Sequence, residues 1–123
     1  PFMDWRQLPA VIAGLDINLM PLENSLFHWC KSENKWTEAA LVKVPSVMSR
    51  NCEMEYVVEN GKDGWMCTTK EEWVNALEAL VTDEKARKAM GEAAHQKVMK
   101  HYLTVNTGKD AMEELLCSES YTK

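Results

Sequence analysis

Residues 31 to 49 read KSENKWTEAALVKVPSVMS, and this stretch decides the fold because it passes directly from a helix-forming run into a strand-forming one. Lys31 to Lys43 is rich in good helix formers, whereas Pro45 to Ser49 is a short run opened by a proline, so the expected order is helix, then strand. At about 100° per residue, Lys31, Lys35 and Glu38 share one face of such a helix, while Trp36, Ala39 and Ala40 turn toward another. One face suits a ligand and the other suits packing. Ser32 is placed to cap the helix, which would leave the amides of Glu33, Asn34 and Lys35 as unpaired donors at the positive end of the helix dipole. Such an end attracts an anion, a phosphate above all.

Upstream, Asp16 to Leu22 is short and apolar and is terminated by Pro21, the pattern of a buried strand. Strand, helix and strand in that order form a βαβ unit with a right-handed crossover, whose ligands sit beyond the carboxyl ends of the strands. Glu23 to Cys30 is the loop at that end. Asp4 can cap a helix from Trp5 to about Gly14, with Leu8, Val11, Ile12 and Leu15 covering one face of the sheet. Downstream, Arg50 to Glu55 reads as loop, Met54 to Glu59 as a short helix, Asn60-Gly61 as a turn, and Trp65 to Cys67 as an edge strand. Thr69 and Glu72 form a capping box for a helix that carries Trp73, Leu77, Leu80 and Val81 and ends near Thr82. A longer helix spans about Asp83 to Tyr102. Its Lys85, Arg87, Lys88, Lys97 and Lys100 read as a solvated face, and His95 and His101 as surface residues. Thr107 to Cys117 reads as a last amphipathic helix with Met112, Leu115 and Leu116 inward, followed by a frayed end.

A chain of 123 residues supports one small domain that buries roughly two thirds of its unfolded surface. With 46% hydrophobic and 27% charged residues it has a globular composition, and its net charge of -5 argues against nucleic acid as a partner. The cysteines at 30, 52, 67 and 117 form no C-x-x-C pair and no zinc-type spacing with histidine, so reduced thiols and a cytoplasmic location are expected. No apolar run approaches the length of about 20 residues that spans a bilayer. The absence of a D-x-D motif leaves no paired-carboxylate metal site, and neither metal nor cofactor is expected. The eight methionines read as core fillers.

Four motifs in order carry a family resemblance. Asp16-Ile-Asn-Leu-Met-Pro-Leu22 resembles a D-I-x-L-x-P-L strand, and Lys31-Ser32-x-x-Lys35 resembles a K-S-x-x-K variant. Glu38-Ala-Ala-Leu-Val-Lys-Val-Pro45 with Ser-Val-Met-Ser49 resembles E-A-x-A-x-G-x-P-V-V-A-S, and Val57-Val-Glu-Asn-Gly61-Lys-Asp-Gly64 resembles V-I-E-x-G-x-N-G. Together they are similar to the C-terminal nucleotide-sugar-binding domain of GT-B glycosyltransferases of the group 1, family 4-like set. The resemblance implies an α/β, partial Rossmann-like half-domain, a short parallel sheet flanked by helices. It also implies that residues 1–123 are one fragment of the C-terminal donor-binding domain, with the first part of that domain and the N-terminal acceptor domain lying elsewhere. The implied activity is that of a retaining, metal-independent enzyme of polysaccharide biosynthesis. It would use a UDP-, GDP- or dTDP-sugar and a glycan or lipid-linked acceptor, with peripheral membrane association of the full protein. The fragment alone is expected to be inactive and, through an exposed sheet edge, to self-associate.

Glu38 is by resemblance the second glutamate of an E-x7-E pattern that accepts hydrogen bonds from both ribose hydroxyls; its plainer reading is a surface glutamate paired with Lys35 or Lys31. Lys31 and Lys35 would neutralise the diphosphate and the charge on the leaving group, and Ser32 with the amides of Glu33, Asn34 and Lys35 would hold phosphate oxygens. The chain departs from the family at Cys30, eight residues before Glu38, where many members carry the first glutamate, and at Lys43, where the signature has glycine. A thiol is a poor substitute for a carboxylate, so Glu23 and Asn24, with His28 beside them, become the candidates for contacting the sugar. His28 could line the sugar pocket, whereas Trp29 reads as a cover for the core. No catalytic residue is assigned. The alternatives are a non-catalytic Rossmann-like interaction or regulatory module, and an unrelated α/β binding protein that matches by chance.

Overall fold

The computed structural model describes residues 3–118 and arranges them about three short parallel strands, β1 (Asn18–Met20), β2 (Ser46–Ser49) and β3 (Trp65–Cys67), in the order β1-β2-β3. Within the helices, the side chains of residue 110 and of residues 115 to 118 are not among those described. Strand pleating puts alternate side chains on opposite faces, and the register turns this into two rows. Met20, Met48 and Met66 are aligned neighbours on one face, and Leu19, Val47 and Trp65 on the other. The expected α/β class with a short parallel sheet flanked by helices is what the chain forms.

Each row anchors its own core. Met20, Met48 and Met66 pack with Trp36, Met54, Val58 and Val98, and Val47 packs with Cys67, Ala76, Leu80 and Met90. The helices that supply these residues are α3 (Asn34–Leu41), α4 (Cys52–Val57), α5 (Lys70–Thr82) and α6 (Glu84–His101). The Thr69–Glu72 capping box opens α5 as expected: Thr69 Oγ1 accepts from the Glu72 amide, and the Glu72 carboxylate accepts from the Thr68 and Thr69 amides, which holds it below its ordinary pKa. Burial pushes the Cys67 thiol up, so this cysteine packs as a small apolar residue. Cys30, Cys52 and Cys67 are all free.

Several elements depart from the sequence-based expectation. The first helical segment is a 3-10 turn, Trp5–Gln7, capped by Asp4, followed by α1 (Leu8–Ala13), which has Pro9 in its first turn. It buries none of its residues and lies against α3 instead of covering the sheet, because Val11 and Leu15 face solvent. The loop expected over Glu23 to Cys30 contains a one-turn helix, α2 (Leu26–Trp29), capped by Ser25. Asn51 caps α4 and starts it two residues earlier than expected. The last helix, α7 (Thr104–Ser118), begins three residues early, and Met112 is exposed, not inward. The expected orientation of Leu115 and Leu116 falls outside the described side chains, as do residues 119–123.

The solvated basic face expected on α6 is interrupted twice. Lys97 donates to Asp63 at 2.6 Å, and this aspartate is almost fully buried. Arg87 donates to the Leu80 carbonyl at 2.8 Å and keeps only 19% of its side chain exposed. His95, expected at the surface, is half-buried with Nδ1 3.1 Å from the Ala40 carbonyl, so it joins α6 to α3. Asp63 also accepts from the Glu59 amide at 2.8 Å, and Gly61 takes φ 83 in the same turn. The Asn60–Gly64 turn is therefore a structural knot.

Lys43 follows α3 at φ 64, the left-handed position in which the family signature has glycine. Its amide donates to Ala40 and that of Val44 to Ala39, at 3.1 and 3.0 Å, the paired bonds of a Schellman ending. Its ammonium reaches Glu92 at 2.8 Å. The left-handed ending is thus formed with lysine in place. Lys43→Val is expected to destabilise the fold by about 1–2 kcal/mol, because a β-branched residue resists positive φ, whereas Lys43→Gly should stay within about 0.5 kcal/mol. Urea midpoints of the two variants test this, and equal midpoints would contradict it.

Candidate functional site

A cleft of about 220 Å³ opens at the carboxyl end of β1. Met20, Pro21 and Leu22 form one wall; Lys31, Ser32, Asn34 and Lys35, at the entry to α3, form the other. The second wall carries two ammonium groups, a hydroxyl and an amide, and no carboxylate lines the cleft, although the chain as a whole is acidic. The first-turn amides of Asn34 and Lys35 have no acceptor within the helix and sit at the positive end of its dipole. Lys31 lies over the Phe27 ring, with Nζ 5.0 Å from the centroid. The arrangement can bind an anion with several oxygens.

Both walls are held from β2 and the residues just after it. Ser49 Oγ accepts from the Leu22 amide at 2.8 Å and donates to the Leu22 carbonyl at 3.2 Å. Asn51 Nδ2 lies 3.5 Å from each of the His28 and Lys31 carbonyls, and its Oδ1 accepts from the Met54 amide at 2.8 Å. Asn18 Nδ2 bonds Ser46 Oγ at 3.0 Å and approaches the Lys35 carbonyl at 3.4 Å.

The sequence placed the start of the helix too early. Ser32 is not its cap: α3 begins at Asn34, with Glu33 at the cap position and no side-chain bond there. The backbone before it is occupied by a turn, in which the Lys31 amide donates to His28 and Asn51 engages the carbonyls on either side. Ser32 nevertheless lines the cleft expected to take a phosphate, even though it does not cap. With Glu33 at the cap position, the amides of Asn34 and Lys35 fall in the first turn of the helix.

Four of the expected site residues, Lys31, Ser32, Asn34 and Lys35, are brought together. Glu38 is exposed one turn further along α3, outside the cleft wall, and among the described residues it pairs with neither Lys31 nor Lys35. Glu23 and His28 also stand off the wall. Glu23 is exposed, and His28 is half-buried with Nδ1 2.7 Å from Ser25 Oγ. Trp29 is half-exposed and donates to Asn24 Oδ1 at 2.7 Å, so it fixes the loop and does not cover the core. Ser49 and Asn51 went unassigned from sequence. The signal for Asn51 was an asparagine three residues before Met54, a helix-cap spacing inside a segment read as loop.

A hollow of about 390 Å³ lies between α5 and α6, lined by Trp65, Leu80, Met90 and a series of alanines, with Lys62 its one charged group. It offers no converging polar atoms and so lacks the chemistry of the β1 cleft. Among the described residues, no group of three or more His, Cys, Asp and Glu could hold a metal ion, and no helix is long and apolar enough to cross a membrane.

The fold is shared with a crystal structure of the C-terminal domain of a glycosyl transferase group 1 family protein, LpcC, from Francisella tularensis. The match has a TM-score of 0.63 at 18% identity, over 85% of this chain and 52% of that one, so the chain spans about half the length of that structure. At that identity the likeness establishes the fold, a GT-B C-terminal Rossmann-like half-domain. No curated protein matches the chain. The family model described as glycosyl transferase-like matches residues 2–113, nearly the full length, and the chain therefore belongs to the glycosyl transferase-like family.

Proposed function

We propose that this chain holds the diphosphate of a nucleotide-sugar donor in the cleft at the end of β1, as the donor-binding part of a glycosyltransferase. The observation that carries the reading is the convergence of Lys31, Ser32, Asn34 and Lys35 on one carboxylate-free wall, at the strand end where open α/β sheets bind ligands. In this reading the two ammonium groups neutralise the diphosphate and the charge that grows on it as the sugar departs, while Ser32 and the first amides of α3 bond its oxygens. Glu38, exposed one turn along the helix, accepts from the ribose hydroxyls of a nucleoside that extends past the cleft mouth. Glu23 and His28 border the same end of the sheet and meet the sugar. The complete enzyme retains anomeric configuration without a metal or other cofactor, in the cytoplasm, and delivers the sugar to a glycan or lipid-linked acceptor bound outside this chain.

Calorimetric titration of the chain with UDP, GDP and dTDP tests the reading. One of the three is expected to bind, with an affinity that falls as salt is raised. Glu38→Ala should weaken it by about 1.5–3 kcal/mol, the range for hydrogen bonds to a charged group. Unchanged affinity in that variant would remove Glu38 from the site, and no binding by the unmodified chain would remove the function.

A further inference from the structure

We infer that Asn51 is a positioning residue that sets the shape of the diphosphate cleft from the β2 side, an inference that rests on the nucleotide-sugar reading above. The lysine-bearing wall depends on the turn over residues 28 to 31, which delivers Lys31 and Ser32 to the cleft. That turn's own backbone bonds run from the Cys30 and Lys31 amides to the His28 carbonyl, the second at 3.3 Å. Asn51, only 5% exposed, adds a second support by directing one amide group at both the His28 and Lys31 carbonyls, 3.5 Å from each. Ser49, two residues before it, grips the opposite wall through both backbone groups of Leu22. The end of β2 therefore holds both sides of the cleft, and the distance between them follows from a rigid central strand.

The two halves of the Asn51 amide do different work. Oδ1 accepts from Met54 and caps α4, a structural task that an aspartate performs equally well. Nδ2 donates to the turn, and aspartate cannot replace it, since a carboxylate has no proton to give and repels the carbonyl oxygens it would face. Asn51→Asp thus separates stability from positioning within one side chain of nearly unchanged shape.

The test uses the full 123-residue chain, with UDP, GDP and dTDP as probes and amide hydrogen exchange as a readout that needs no ligand. In Asn51→Asp the Met54 amide is expected to keep its protection, the Lys31 amide to exchange several-fold faster, and the Kd of the nucleotide that binds the unmodified chain to rise roughly tenfold, a loss of about 1.4 kcal/mol. Asn51→Ala should lose Met54 protection as well, and Ser49→Ala should free Leu22 instead of Lys31. Binding of a nucleotide equally well by the unmodified chain and Asn51→Asp would overturn the role given to Asn51, as would unchanged exchange at Lys31. Failure of the unmodified chain to bind any of the three would overturn the nucleotide reading first and this role with it, and the binding curve of the unmodified chain alone distinguishes that outcome.

Discussion

Trp36→Ala is expected to cost about 3–5 kcal/mol, a large share of the about 5–15 kcal/mol that holds a native domain folded. Trp36 is fully buried at the centre of the core that faces α6, with Met48 and Met54 in the same cluster. Its ring meets Tyr102 edge-on at 6.0 Å between centroids, and Lys97 Nζ lies 6.0 Å from its centroid on the way to Asp63. The indole also donates to the Asp63 carbonyl at 2.9 Å. Truncation therefore leaves a large cavity and a carbonyl without its donor. Trp36→Phe keeps most of the volume and should cost clearly less, about 1–3 kcal/mol for the abandoned carbonyl. Urea unfolding of both variants checks the ranking, and an alanine variant within 1 kcal/mol of the unmodified chain would show that the core is not built around this residue. Because Trp36 follows Lys35 directly, loss of its packing should also loosen the lysine wall of the cleft.

Gly91→Ala is expected to destabilise by about 2 kcal/mol or more, against the usual gain of an alanine in a helix interior. Alanine is favoured over glycine there by about 1 kcal/mol on propensity alone. At Gly91 a Cβ would stand 2.1 Å from the Lys43 carbonyl oxygen and 2.8 Å from its carbon. Those are backbone atoms, fixed by the left-handed ending of α3, so relief requires α6 to move away from it. Overpacking of this kind reaches about 3 kcal/mol or more before the propensity gain is subtracted. A midpoint of urea unfolding at or above that of the unmodified chain would contradict the close contact between α6 and the end of α3.

What could be read from the sequence was local. The Thr69–Glu72 box, the Asp4 cap and the strand at Trp65 to Cys67 rest on neighbouring residues and formed where expected. The left-handed ending at Lys43 was not legible, because a lysine in place of the motif's glycine argues for a different helix ending, yet the backbone keeps the positive φ. Features that depend on distant partners stayed hidden. Lys97 and Asp63 are 34 residues apart, and His95 and Ala40 are 55 apart, so nothing near either basic residue marked it as half-buried and paired. The error at Ser32 has the same origin. A serine before a helical run is a sound cap by propensity, but here Asn51, from the next strand end, engages the turn before it. Periodicity grouped Glu38 with Lys31 and Lys35, yet Lys31 precedes the helix, so a helical wheel could not place it.

The most direct test of the donor-site account is a nuclear magnetic resonance titration of the isotope-labelled chain with UDP, GDP and dTDP, following backbone amide shifts. The account predicts saturable changes for one nucleotide, concentrated at Met20, Leu22 and residues 31 to 38, with little change along α5 and α6. Shifts centred on the hollow between α5 and α6, or none with any of the three nucleotides, would contradict it.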